Sequence, residues 1–106
     1  MNMVQHATKV EYTVKAEYAA QNKANISQVT EELRALHRTD IKYSVFVKDD
    51  GKTFNHFLLF ANEEAGKVFS SLPTFKTFQA ELHGSQPEVP PVVTDLTVVG
   101  SSYDLF

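Results

Sequence analysis

The sequence predicts one α+β domain, a four-stranded antiparallel sheet with helices on one side, built in the order βαββαβ. Three observations lead there. Apolar residues alternate through Lys9–Lys15, they recur at steps of three and four from Ile26 to Leu36, and two strand-like runs flank Asp49-Asp50-Gly51-Lys52. The first and last patterns have the two-residue period of a strand, and the middle one has the period of a helix. The chain has 106 residues, the size of a single domain spanning 1–106.

In the first strand, Val10, Tyr12 and Val14 point one way, Glu11 and Thr13 the other. Ile26, Val29, Leu33 and Leu36 then form the apolar stripe of a helix from about Glu17 to His37, and Ala19, Ala20 and Ala24 favour helix in its first half. Ile41–Lys48 and Thr53–Phe60 form a hairpin, because Asp-Gly between alternating runs is a strong turn signal of type I′. A two-residue loop at Asp50-Gly51 sets the register: Val47 opposite Phe54, Val45 opposite His56, Tyr43 opposite Leu58 and Ile41 opposite Phe60. On the other face Phe46 meets Asn55, Ser44 meets Phe57 and Lys42 meets Leu59.

The second helical region, Glu63–His83, is divided by Pro73, which suits the first turn of a helix where its missing N–H does no harm. A short turn through Val68 and Phe69 precedes it. Phe75, Phe78 and Leu82 form the buried stripe of the second part, and Gly84 is expected to take the left-handed position at its end. Three prolines in Gln86–Pro91 make a rigid connector to a last strand at Val92–Val99, followed by a tail ending in Tyr103, Leu105 and Phe106. This order of elements is the ferredoxin-like split βαβ arrangement.

Composition narrows the function classes. Ten Lys and Arg against thirteen Asp and Glu give a net charge of −3, which removes the general electrostatic case for a nucleic-acid partner. The absence of cysteine excludes disulfides, thiolate metal sites and a cysteine nucleophile. No apolar run approaches the roughly 20 residues that cross a bilayer, so no membrane partner is expected. Met1–Thr8 has no secretory pattern, which predicts a cytoplasmic protein. No glycine-rich phosphate loop, nucleophile elbow or His pair at metal-ligand spacing is present, so no metal site is predicted.

Two helical regions can cover only one face of the sheet, yet the hairpin carries large apolar groups on both. Val45, Val47, Phe54, Leu58 and Phe60 occupy one face, and Phe46, Phe57 and Leu59 the other. Leaving such side chains wet forgoes about 1.5–3 kcal/mol for each one that could be fully buried. The expected remedy is a second copy of the chain, a two-fold homodimer packed through the open faces. The C-terminal tail could cross to that partner or fold back on its own subunit, and the sequence leaves both open.

Among the histidines, His6 falls in an expected frayed terminus, and His37 and His83 suit helix C-termini. His56 differs, lying mid-strand on an apolar face. A buried imidazole needs a partner, for which Tyr43 or Glu11 is available. A satisfied core histidine and a polar anchor in an apolar cavity are both compatible with this position. Tyr12 and Tyr43 combine an apolar body with a polar tip that can orient a flat aromatic ligand, or simply pack in the core.

The order of elements resembles the dimeric α/β-barrel superfamily, in particular its antibiotic biosynthesis monooxygenase-like branch. The resemblance rests on Tyr12-Thr13-Val14-Lys15, on Tyr43–His56 around the Asp-Gly turn, on Leu72-Pro73-Thr74-Phe75-Lys76-Thr77-Phe78, and on Pro90–Gly100. It implies a homodimer and a cofactor-independent monooxygenase-like activity on a small aromatic or quinol-like molecule. His56 and Tyr43 would then hold and deprotonate the substrate, Tyr12 and Phe54 would line its pocket, and Glu11 would tune the histidine. The haem-degrading relatives fit poorly, because Lys9, Phe69 and Gln79 stand where they carry an asparagine, a tryptophan and a histidine. Two alternatives stay open: a non-enzymatic dimeric binding or stress-associated protein whose cavity holds a small apolar ligand, and a solid core with no cavity.

Overall fold

A computed structural model describes residues 6–106. The reading of Met1–Thr8 as free of a secretory signal falls mostly outside these residues. The elements are β1 (His6–Thr13), a single 3-10 turn (Ala16–Tyr18), α1 (Ala19–Leu36), β2 (Ile41–Val47), β3 (Thr53–Phe60), α2 (Glu63–Ser71), α3 (Pro73–Gly84) and β4 (Val89–Leu96). The strands form one sheet in the order β2-β3-β1-β4, with all neighbours antiparallel. No helix is long and apolar enough to cross a membrane among the described residues.

The core lies between one face of the sheet and the helices. Tyr12, Phe54 and Leu58 from the strands pack with Ile26 and Val29 of α1, Phe69 of α2, and Phe78 and Leu82 of α3. The hairpin register is the expected one, from Ile41–Phe60 to Val47–Phe54. The turn that sets it is different. Only Gly51 has positive φ, at 76°, so Asp50 is not left-handed as a type I′ turn requires. Instead Gly51 N–H donates to the Lys48 carbonyl, and the Asp50 carboxylate accepts from both the Lys52 and Thr53 N–H groups at 2.9 Å. A carboxylate that accepts three hydrogen bonds from two residues of its own loop holds the register that a tight primed turn would have held. Those hydrogen bonds, with that from the Thr53 hydroxyl first among them, depress the Asp50 carboxyl to about 2.

Pro73 divides the second helical region where expected, and Asn62 caps α2 by accepting from Ala65 N–H. The segment before Pro73 is a full helix of nine residues, not a short turn. Gly84 ends α3 without positive φ, and the left-handed residue is Gln86, with φ 56°. His37 is the left-handed cap of α1, its own N–H bonded to the Arg34 carbonyl. His6 is not frayed but opens β1 opposite Phe60.

β4 begins three residues earlier than expected and contains Pro90 and Pro91. The β1–β4 register shifts between Glu11–Val92 and Thr13–Val89, so two prolines stand opposite the single residue Tyr12. Proline cannot donate to a sheet ladder, and a bulge on an outer strand is a place that tolerates it.

The face without helices carries Phe46, which is 60% exposed, with Val92 and Leu96 also exposed and Phe57 and Leu59 half-buried. The tail returns to its own subunit. It leaves β4 at one edge of the sheet and brings the Phe106 ring to 5.6 Å from the Lys42 ammonium on β2, the other edge.

Candidate active site

The register of three adjacent strands determines the site. His56 stands at the centre of β3, opposite Val10 of β1 on one side and Val45 of β2 on the other. Both neighbours are short aliphatic residues that cannot satisfy an imidazole. The diagonal positions hold tyrosines, Tyr12 on β1 and Tyr43 on β2, and diagonal neighbours in a sheet lie within reach of long aromatic side chains. The Tyr12 hydroxyl meets His56 Nε2 at 2.7 Å, and the Tyr43 hydroxyl meets Nδ1 at 2.8 Å. Both ring nitrogens are thereby satisfied although His56 is only 3% exposed.

Aromatic side chains enclose this row. Phe54 stacks on Tyr12 with ring centroids 5.7 Å apart, Phe78 lies 5.3 Å from the imidazole, and Phe69 lies 5.1 Å from the Tyr43 ring. α1 supplies one polar group from above: the fully buried Asn22 donates its Nδ2 to the Tyr12 hydroxyl at 2.8 Å. Burial sets the protonation states. It lowers the His56 value to about 4 and raises both tyrosines far above their ordinary range, with the Asn22 hydrogen bond partly offsetting the rise at Tyr12. The whole row is therefore neutral at physiological pH.

A cavity of about 710 Å³ opens beside the row, between α3 and the sheet. Tyr12, Tyr43 and His56 contribute polar groups from the sheet, and Val10, Leu58, Phe75, Phe78 and Leu82 apolar walls. Gln79 and His83 on α3, with Gln86 and the two prolines of β4, line it as well and add further polar groups. This volume lies within the roughly 300–1,000 Å³ typical of small-molecule sites. The alternative of a solid core is thus excluded.

Of the five residues singled out in the sequence, Tyr12, Tyr43 and His56 converge on the cavity. Phe54 stands behind Tyr12, 2% exposed, and touches the site only through that ring. Glu11 must be corrected. It follows the opposite pleat, facing Asn55 and Val92, and it pairs with Lys9 at 3.2 Å and Lys48 at 3.3 Å. A residue next to Tyr12 in sequence necessarily points to the other side of the sheet, so Glu11 cannot tune His56. Two residues were not assigned to the site from the sequence: Asn22, which reaches it only through the Tyr12 hydroxyl, and His83, read as a helix C-terminal residue, which lines the cavity. Asn22 continues the stripe of Ile26, Val29 and Leu33 backwards by one turn, a polar residue on an apolar face. His83 lies one turn beyond Gln79 on α3.

With this geometry established, comparison with solved structures is informative. A proposed antibiotic biosynthesis monooxygenase from Bacteroides thetaiotaomicron superposes with a TM-score of 0.81 at 13% identity, over 94% of each chain. The chain has the antibiotic biosynthesis monooxygenase fold. Rv0793 from Mycobacterium tuberculosis gives 0.77 at 15% identity, over 94% of this chain and 100% of that one. SnoaB, a cofactor-independent oxygenase from Streptomyces nogalater, gives 0.70 at 9% identity, over 94% and 98%. No protein-family model and no curated protein sequence matches the chain. What it shares with these structures is the backbone arrangement, the four-stranded antiparallel sheet of the α+β class.

Proposed function

We propose that this protein is a cofactor-independent oxygenase of a small aromatic or quinol-like molecule. The observation that carries the reading is the neutral Tyr12–His56–Tyr43 row bordering an apolar cavity large enough for a bicyclic ring system. The fold shared with SnoaB supports it. A phenolic substrate needs no further reductant. One atom of O₂ converts a ring C–H to a carbonyl and the other leaves as water with the two hydrogens lost, so the phenol supplies all four electrons and becomes a quinone.

The protein's part is to exclude water and to hold the substrate oxygen at Tyr43. Here the structure argues against the deprotonating role expected of His56. A conjugate acid with a value of about 4 cannot keep the proton of a phenol, which ionises near 10. The proton instead leaves through the mouth of the cavity, and the row stabilises the anion left behind. The same low basicity supports a second reading, a protein that binds such a molecule without transforming it.

Oxygen uptake with 1-naphthol and 1,4-dihydroxynaphthalene tests the two. Uptake above the uncatalysed rate that disappears in His56→Ala supports the oxygenase. Saturable binding with no uptake selects the binder.

A second copy of the chain on the open face is part of the proposal. Apolar side chains are exposed on both edge strands of this face, Phe46 on β2 and Val92 and Leu96 on β4, with Phe57 and Leu59 half-buried on β3. Glu11 joins Lys9 and Lys48 there, which leaves one net positive charge for the second copy to accommodate.

A further inference from the structure

The buried end of the hydrogen-bond row fixes its direction. The Tyr12 hydroxyl has two partners, Asn22 and His56, and a single proton to give. With the Asn22 amide placed so that Nδ2 donates to it and the buried Asn22 Oδ1 has no partner among the described residues, Tyr12 sends its proton to His56 Nε2; if the imidazole also donated, a buried hydroxyl proton would have no acceptor. A neutral imidazole carries one N–H. With Nε2 accepting, that hydrogen sits on Nδ1 and points to the Tyr43 oxygen, 2.8 Å away. Tyr43 then keeps its own hydroxyl proton. It is the least buried member of the row, it lines the cavity, and His56 is its one hydrogen-bond partner among the described residues.

We propose that Asn22 is a positioning residue that orients the whole row outwards, so that Tyr43 offers an O–H donor to the cavity and the site selects ligands that present an oxygen acceptor, a ring carbonyl or a phenolate. The ligand half of this inference rests on the cavity being the substrate site proposed above; the direction of the row does not.

The two halves are tested separately. Nitrogen-15 NMR of the full chain at neutral pH, with His56 assigned by its loss in His56→Gln, reports which ring nitrogen carries hydrogen. A proton on Nδ1 with Nε2 bare is expected. A proton on Nε2 overturns the proposal, since it means that the row runs the other way with the Asn22 oxygen accepting. In Asn22→Asp at mildly alkaline pH the carboxylate can only accept, so Tyr12 turns towards it and the tautomer switches to Nε2–H; an unchanged tautomer in the folded variant counts against Asn22 as the orienting group.

For the ligand half, 1-tetralone is compared with tetralin, which has the same ring system without the carbonyl. The tetralone is expected to bind about five- to tenfold more tightly, and Tyr43→Phe should erase that preference while leaving tetralin unaffected. A preference that survives Tyr43→Phe overturns this half. If neither compound binds while Nδ1 carries the proton, the cavity is not the substrate site and the ligand half falls with that reading, whereas the direction of the row stands. Should Asn22→Asp not fold, the native tautomer and Tyr43→Phe still decide the outcome.

Discussion

The two faces of this sheet are built from alternate residues of the same strands, yet they treat polar groups in opposite ways. Under the helices, Tyr12, His56 and Tyr43 are uncharged and bonded only to neutral partners. On the open face, one residue away along β1, Glu11 sits in an ion cluster with Lys9 and Lys48. The difference follows from solvation. A charge taken under the helices would lose several kcal/mol of hydration, whereas an ion pair in contact with water gains less than about 1 kcal/mol and costs little to keep. A site on the covered face must therefore work with hydrogen bonds of fixed direction, whereas the open face can carry charge.

The sharpest way to break this comparison is to place one carboxylate on each side. Phe54→Asp puts a charge among Tyr12 and the core, and it should remove more than about 4 kcal/mol of stability and abolish the cooperative thermal transition seen by circular dichroism. A cooperative melt near that of the parent chain would show that the covered face tolerates charge.

Acid probes the same contrast within the native sequence. The His56 value falls from about 6.5 in the unfolded chain to about 4 in the folded one, so the unfolded state binds the proton first as pH drops. The contribution is complete above pH 6.5 and is lost on the way down to pH 4. It amounts to about 3 kcal/mol from this group. Urea titrations across that range should show this slope, and a folded His56→Gln variant should lack it.

On the open face, Phe57→Asp should leave the secondary structure intact and instead halve the mass observed by ultracentrifugation at micromolar concentration. A parent chain that sediments as a single copy would remove the proposed second subunit. The smallest effect belongs to Glu11→Gln. It should barely move the urea midpoint, by less still in added salt, and leave ligand binding in the cavity unchanged. Loss of binding in that variant would mean that the two faces are coupled.

How much of this was legible in the sequence depended on the separation of the partners. Tyr43 and His56 belong to one hairpin, and the Asp-Gly signal fixed their register even though the turn proved to be of another type. The contact of Tyr12 with His56 joins residues 44 apart, and it depends on how β1 aligns with β3, which no local pattern encodes. Asn22 carried a usable sign, since a polar side chain continuing an apolar helical stripe must find a buried partner. Its partner became visible only once α1 was laid across β1. Gly84 misled for a simpler reason. Glycine is the usual left-handed residue after a helix, but α3 runs through it and the chain reverses at Gln86 instead.

The paired prolines of β4 have a bearing on how copies of this molecule can meet. Pro90 and Pro91 deprive the outermost strand of two N–H groups, so a stranger's strand cannot zip alongside this stretch to lengthen the sheet. Ribbon-like polymerisation and fibril growth are discouraged at that border, which leaves the flat side of the sheet as the surface through which the proposed pair would meet.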